Sequence, residues 1–283
     1  MENKMVQKPS WLRKKIKPTF DKEMKDLFHN VGVNTVCQEA MCPNISECFS
    51  SKQATFLIMG TICTRKCDFC AVTKGKPMLL DINEPQNVAN TVKQLGLKYV
   101  VITSPTRDDL DDAGANHFCK TVDAIKSIDN SIVVELLIPD MKEKKESIKQ
   151  ISHSGASIVG HNLETVPRLY DIRQGAKYER SLNVLNILAS CNSKAATKSG
   201  IMLGLGEQDD EVITLMQDLL NVGCKYLSIG QYLSPSSKHT PVVEYIKPEK
   251  FEYFKDIGLQ MGFKYIKSSP YTRSSYMAHQ YLE

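Results

Sequence analysis

Ala54-Thr-Phe-Leu-Ile-Met-Gly60-Thr-Ile-Cys63-Thr-Arg-Lys-Cys67-Asp-Phe-Cys70 is the stretch that decides how this chain is read. Ala54 to Met59 is an uncharged, mostly apolar run of strand length, and it ends at a glycine. A polar loop follows at once, carrying three cysteines spaced C-x3-C-x2-C. Three thiolates on one short loop suit a cubane iron–sulfur cluster, because soft anionic ligands hold three irons and leave the fourth open. An open iron can chelate a small molecule through its amino and carboxylate groups. The alternative is structural zinc, which normally takes four Cys or His ligands, and no histidine lies near this loop.

From residue 54 onward, short β-branched runs alternate with longer amphipathic stretches, the pattern of a parallel sheet with helical crossovers. Strands are predicted at Ala54 to Met59, Lys98 to Thr103, Ile132 to Ile138, Ala156 to His161, Lys198 to Leu203 and Lys225 to Gly230. Helices are predicted near 84–96, 113–127, 141–153, 181–190, 208–222 and 248–260, the last beginning at Pro248. Six βα units without a composition break favour a curved partial barrel over a doubly wound open sheet. In both, ligands gather at the carboxyl ends of the strands. Residues 1–53 and 262–283 fall outside the repeat as extensions to a barrel of residues 54–261.

The bulk composition sets limits. The 283 residues are 42% hydrophobic and 24% charged, as expected of an ordered globular chain, and no apolar run is long enough to span a bilayer. The first residues show no apolar leader, so the cytoplasm is the expected location and its reduced thiols favour metal ligation over disulfides. Residues 1–30 hold eight Lys or Arg against four Asp or Glu, a surplus equal to the whole net charge of +4. Such an arm fits a solvated surface first, an acidic protein partner second and nucleic acid last.

A second triplet precedes the first: Cys37-Gln-Glu-Ala-Met-Cys42-Pro-Asn-Ile-Ser-Glu-Cys48, spaced C-x4-C-x5-C. Alone it could serve zinc or an electron-transfer cluster. Cys119, Cys191 and Cys224 are isolated and read as ordinary thiols. His117, His153 and His239 have no ligand spacing.

The Cys63/Cys67/Cys70 loop, with aromatic Phe69 before its last cysteine, resembles that of the radical S-adenosylmethionine (SAM) superfamily. Further motifs are similar to the lipoyl synthase family within it: the Cys-Pro-Asn-x-x-Glu-Cys core, Cys63-Thr-Arg-x-Cys, His161-Asn-Leu-Glu-Thr-Val-Pro-Arg-Leu-Tyr170, Thr197-Lys-Ser-Gly, Gly204-Leu-Gly-Glu207, Gly230-Gln-Tyr-Leu233 and Arg273-Ser-Ser-Tyr276. The match runs from about Lys8 to Ala278. The resemblance implies a six-unit partial barrel with two 4Fe-4S clusters. Cys63, Cys67 and Cys70 would hold the one that binds SAM. Cys37, Cys42 and Cys48 would hold an auxiliary cluster, with a serine oxygen as fourth ligand: Ser274 by motif position, Ser275 as the second candidate. Arg273 would order that loop or hold substrate.

The implied reaction inserts sulfur at C6 and C8 of an octanoyl chain attached to a lysine of a carrier domain. Those carbons are unactivated. No side-chain base removes an alkane proton, since even a shift of ~5 pKa units falls far short. A carbon radical abstracts the hydrogen atom instead.

Other candidates are softer. Ser104, Arg107 and Asp108 follow the second strand, where the family binds SAM, although Pro105-Thr106 stands where the family has Val-Asp or Val-Asn; helix capping is the rival role for Asp108. Asn162 and Glu164 would meet SAM, or form a buried capping pair. Gly204 closes a glycine-containing strand that would support adenine, or simply pack tightly. Implied partners are octanoylated lipoyl domains of 2-oxoacid dehydrogenase E2 subunits, the glycine-cleavage H protein, a flavodoxin or ferredoxin reductant and cluster-assembly proteins. Lys14, Lys15 and Lys17 are the arm's candidates for docking an acidic carrier. The competing readings are another sulfur-inserting radical enzyme, such as a biotin synthase or methylthiotransferase, and a non-catalytic metal-binding sensor.

Overall fold

Seven parallel strands build the sheet that carries the site, in the computed structural model, which describes residues 8–12, 26–29, 31–51, 53–191 and 193–282. The expected arm residues Lys14, Lys15 and Lys17 lie outside the described residues. A short antiparallel strand β1 (Asn34–Thr35) leads into α1 (Val36–Glu39) and α2 (Ile45–Ser50). The repeat then runs β2 (Thr55–Leu57), the small pair β3 (Ile62–Cys63) and β4 (Thr73–Lys74), α3 (Glu84–Leu95) and β5 (Tyr99–Thr103). It continues through α4 (Ala115–Ile128), β6 (Val133–Leu137), α5 (Lys145–Ser152), β7 (Ile158–Gly160), α6 (Tyr178–Ser190) and β8 (Ala196–Leu203). The last elements are α7 (Asp209–Asn221), β9 (Tyr226–Gln231), α8 (Pro248–Met261) and β10 (Tyr265–Ser268).

Sheet order is β1-β2-β5-β6-β7-β8-β9-β10, every pairing parallel except that of β1 with β2. The six predicted strands and six predicted helices are all present, with ends shifted by up to four residues. The sequence missed β1 and β10. Parallel pairing of β10 with β9 carries the sheet to Ser268, past the predicted barrel end at residue 261.

Alternation along the strands divides the side chains between two faces. One face packs against the helices through a core that includes Phe56, Val100, Ile102, Val134, Leu136, Val159, Ile201, Leu227 and Ile229. The other face is concave: Val101, Ile158 and Tyr226, from three different strands, share one cluster with Ala278 and Tyr281 of the C-terminal turn. Lys198 of β8 reaches Glu135 of β6 inside this concavity at 2.7 Å, both about 2% exposed. A flat sheet would not bring these side chains together, so the sheet curves as a partial barrel and the C-terminus plugs its amino end. Among the described residues, no helix is long and apolar enough to cross a membrane.

Candidate active site

The loop with Cys63, Cys67 and Cys70 leaves β2 through a strained turn. Met59 has φ of 67°, in the left-handed region that costs a non-glycine residue about 1 kcal/mol or more. The turn is clamped on both sides, since Met59 N–H donates to Glu84 Oε2 at 2.7 Å and its carbonyl accepts from Arg107 Nη1 at 2.9 Å. Arg107 also donates to Met78 O and Asp109.

Arg65 lies inside the cysteine loop and fastens it to the barrel rim. Its guanidinium makes paired hydrogen bonds to Asp108 (2.8 and 3.0 Å) and to Asp140 (2.7 and 2.6 Å). Burial opposes the Arg65 charge, and both carboxylates more than restore it, raising its pKa; Asp140 is held down at about 2 despite its own burial. The loop is anchored further by Asp68 N–H to Ile172 O and Thr240 N–H to Asp68 O. Thr64 bonds Thr106 O through both N–H and Oγ1, so the Pro105-Thr106 turn is a support for the cysteine loop.

Two of the expected SAM residues are engaged within the protein. Arg107, 2% exposed and hydrogen-bonded to Met59, Met78 and Asp109, holds the turn. Asp108 is committed to Arg65. Ser104 keeps a buried hydroxyl with no hydrogen-bond partner among the described residues. Phe69 is half-buried beside Cys70.

The thiols of the loop are close enough for each charge to disfavour the next. Burial raises Cys67 first, with Cys63 and Glu164 adding and Arg173 opposing. Cys70 is raised to about 11 by burial, then by Cys67, Cys63 and Glu164. Burial and mutual repulsion keep Cys67 and Cys70 protonated, and a bound metal centre would displace the protons and take the three sulfurs as ligands, which fits an iron–sulfur cluster.

Glu164 stands between the two triplets. Its φ of 69° is held by Glu164 N–H to Gly200 O and Met202 N–H to Glu164 O. Burial raises its carboxyl, opposed by Arg173, the Asn162 hydrogen bond and Arg273. Arg173, missed from the sequence, donates to the carbonyls of Asn162 and Leu163 and leaves a buried Nε with no partner among the described residues. An arginine among apolar and helical residues gives no spacing signal that would have revealed it.

Cys37, Cys42 and Cys48 line one chamber of about 380 Å³ with Arg273, Ser275 and Tyr276. A second cavity of about 200 Å³ begins at Cys37, Cys42, Arg273 and Ser275 and runs to Asn162 and Glu164. Ser274 lines only the second cavity; its Oγ donates to Asn162 Oδ1 at 3.0 Å. Ser275 thus shares a chamber with all three thiols, and Ser274 shares the second cavity with Cys37 and Cys42, so both serines of the motif stand beside the triplet. Burial lowers the Arg273 guanidinium, opposed by the charges of Cys42, Tyr271 and Glu164. Burial also raises Cys37 to about 11, with Cys42 adding to it.

Lys198 fixes the serine loop from inside the barrel. Its ammonium bonds Glu135 and the carbonyl of Ser274, each at 2.7 Å, and lies 3.6 Å from the ring centre of Tyr281. Close approach of the loop depends on missing side chains. A Cβ on Gly200 would come within 2.7 Å of Ser228 Oγ and Ser274 Oγ and within 2.8 Å of Asn162 Oδ1. Gly204, the expected adenine support, instead packs against Gln231 and Glu244, so Gly200 is the glycine at the cavity. Among the described residues, no three His, Cys, Asp or Glu side chains converge on a single-ion site.

The radical SAM superfamily profile matches residues 57–219. A lipoyl synthase of Geobacter metallireducens is 54% identical over 277 residues, covering 98% of each chain. One of Caldicellulosiruptor saccharolyticus is 49% identical over 97% of each. Among solved structures, Streptococcus suis SuiB bound to S-adenosylmethionine superposes with a TM-score of 0.59 at 14% identity, over 88% of this chain and 60% of that one. Methylornithine synthase superposes with 0.54 at 15% identity, over 75% and 70%. These two share the fold. Half-identity over nearly the whole length, joined to the cysteine loop on its curved parallel sheet, makes this chain a member of the lipoyl synthase family of radical SAM enzymes.

Proposed function

We propose that the chain inserts two sulfur atoms, at C6 and C8 of an octanoyl chain borne on a carrier-domain lysine, and that Cys37, Cys42, Cys48 and Ser275 hold an auxiliary 4Fe-4S cluster. The observation that carries this reading is the cavity that leads from the Cys37/Cys42 pair toward the Cys63–Cys70 loop. It starts at Cys37 and Cys42 and ends at Asn162 and Glu164, whose carboxylate is within electrostatic reach of Cys67 and Cys70. Val36, Pro43, Leu137, Ile201 and Met202 line it, an apolar wall suited to an alkyl chain.

Cys63, Cys67 and Cys70 would hold the cluster that binds SAM. When bound, the groups at the two triplets supply a 5′-deoxyadenosyl radical from SAM at one end and sulfide at the other. The chain's own residues do the rest. The unpartnered Arg173 Nε and Ser104 hydroxyl would take the SAM carboxylate and a polar SAM atom, while Glu164 and Asn162 would orient its amino end. Arg273 would neutralise charge beside Cys42, and Lys198 would hold the serine loop in register. Ser275 would offer a harder oxygen ligand, poorly matched to this iron and so released most readily.

The expected partners are octanoylated lipoyl domains or H protein, a low-potential flavodoxin or ferredoxin, and cluster-assembly proteins. The test is anaerobic turnover of the iron-loaded enzyme with SAM, reductant and an octanoyl-lysyl peptide. A mass gain from two sulfurs supports the reading; SAM cleavage with no sulfur gained rejects it.

A further inference from the structure

The auxiliary cysteines are reached from two directions. Cys37, Cys42, Arg273 and Ser275 belong to both cavities, so they form the partition between them. The inner cavity leads to Asn162 and Glu164, at the carboxyl ends of the strands. The outer chamber leads the other way. Its wall passes Val101 and Tyr99 and reaches Ser51, Gly96 and Lys98, all three exposed. Leu95 to Tyr99 join the end of α3 to the amino end of β5, on the opposite side of the sheet from the Cys63–Cys70 loop. Gln53 Nε2 and His279 Nδ1 face one another within it at 3.5 Å.

The places proposed above for the alkyl chain and SAM lie at the strands' carboxyl ends and leave this second opening unassigned. We propose that the outer chamber is a loading port, through which iron and sulfide reach Cys37, Cys42 and Cys48 without entering the cavity that holds substrate. The port rests on the proposed function in one respect: an auxiliary cluster that surrenders sulfide has to be rebuilt. Two separate openings let that happen while the inner cavity is occupied. The shared chemistry is ferrous iron and sulfide, either free in solution or delivered at the mouth by an iron–sulfur donor protein.

The test uses the full chain carrying Cys63→Ala, Cys67→Ala and Cys70→Ala, so that only the auxiliary triplet takes up iron. The rate of iron uptake, read by Mössbauer spectroscopy, is compared with and without Ser51→Trp and Lys98→Trp, which crowd the mouth. One arm supplies ferrous iron and sulfide, the other a loaded donor protein. Crowding is expected to slow uptake by about tenfold or more, and Gln53→Ala, which removes a side chain from the passage, to speed it. Slowing in both arms, or in only one, supports the port and identifies the source. Equal rates in both arms overturn it. First-turnover product from the crowded protein with its cysteines restored establishes that it folds; should it not fold, Gln53→Ala decides, and no acceleration overturns the port. A parent that binds no iron at this triplet overturns the functional reading as well, whereas iron uptake with equal rates overturns the port alone.

Discussion

Ser274 Oγ donates to Asn162 Oδ1 at 3.0 Å, and Asn162 Nδ2 donates in turn to Glu164 Oε1 at 3.1 Å. The loop carrying Ser275 is thereby tied to the carboxylate beside Cys67. Ser274→Ala removes the hydrogen bond to Asn162, worth about 1 kcal/mol, and a longer one accepted from Ser228 Oγ at 3.5 Å. Both clusters should assemble, with sulfur insertion slowed roughly five- to tenfold. Ser275→Ala should leave SAM cleavage intact and abolish sulfur insertion. Product mass and Mössbauer spectra check both; the opposite pattern would return the ligand role to Ser274.

Gly200→Ala places a methyl group against Ser228, Ser274 and Asn162 at once. Overpacking of this kind costs about 1–3 kcal/mol, and here it pushes directly on the serine loop. The expected outcome is a lowered Tm with sulfur insertion reduced by more than roughly tenfold. Gly204→Ala should disturb the Gln231–Glu244 contact and leave the auxiliary spectrum unchanged.

Arg65→Met strands the Asp140 carboxylate, whose side chain is wholly buried, leaving it Arg180 at 3.3 Å and the Lys142 N–H at 3.0 Å. Removing one partner of a buried pair costs about 3–5 kcal/mol, measurable by urea unfolding. Arg65→Lys keeps the charge but loses the two-pronged geometry, so an intermediate loss is expected.

His161 is buried, donating from Nδ1 to Ile138 O and accepting at Nε2 from Ser181. Burial, then Arg173, lowers its pKa from 6.5 to about 4. The unfolded chain therefore binds a proton near 6.5 that the folded chain refuses until about 4, and stability rises with pH across that window. Lowering the pH from 7 to 4 should cost about 3 kcal/mol from this residue. Asp140 extends the loss: its contribution is complete above 3.8 and vanishes as pH falls toward 2. Thermal unfolding against pH checks this, and His161→Gln should flatten the slope between pH 6.5 and 4.

The barrel was legible because β-branched runs and amphipathic stretches alternate by local rules, and both cysteine triplets because ligand spacing is local too. β1 escaped notice because Asn34–Thr35 is a two-residue strand with no periodicity. β10 was missed because Tyr265–Ser268 follows a helix that seemed to close the repeat. What separates Ser274 from Ser275 is not local: Asn162, 112 residues away, takes the Ser274 hydroxyl. The contacts of Arg107 to Met59 and Met78 were hidden for the same reason, since they are a property of the folded turn.

Sulfur transfer from the auxiliary triplet is tested most directly by building the clusters with heavy-isotope sulfide and running one turnover of octanoyl-lysyl peptide in unlabelled medium. Two heavy sulfur atoms are expected in each product molecule, with iron lost from Cys37, Cys42 and Cys48. Light sulfur in the product, or a fully intact auxiliary iron content after turnover, would contradict it.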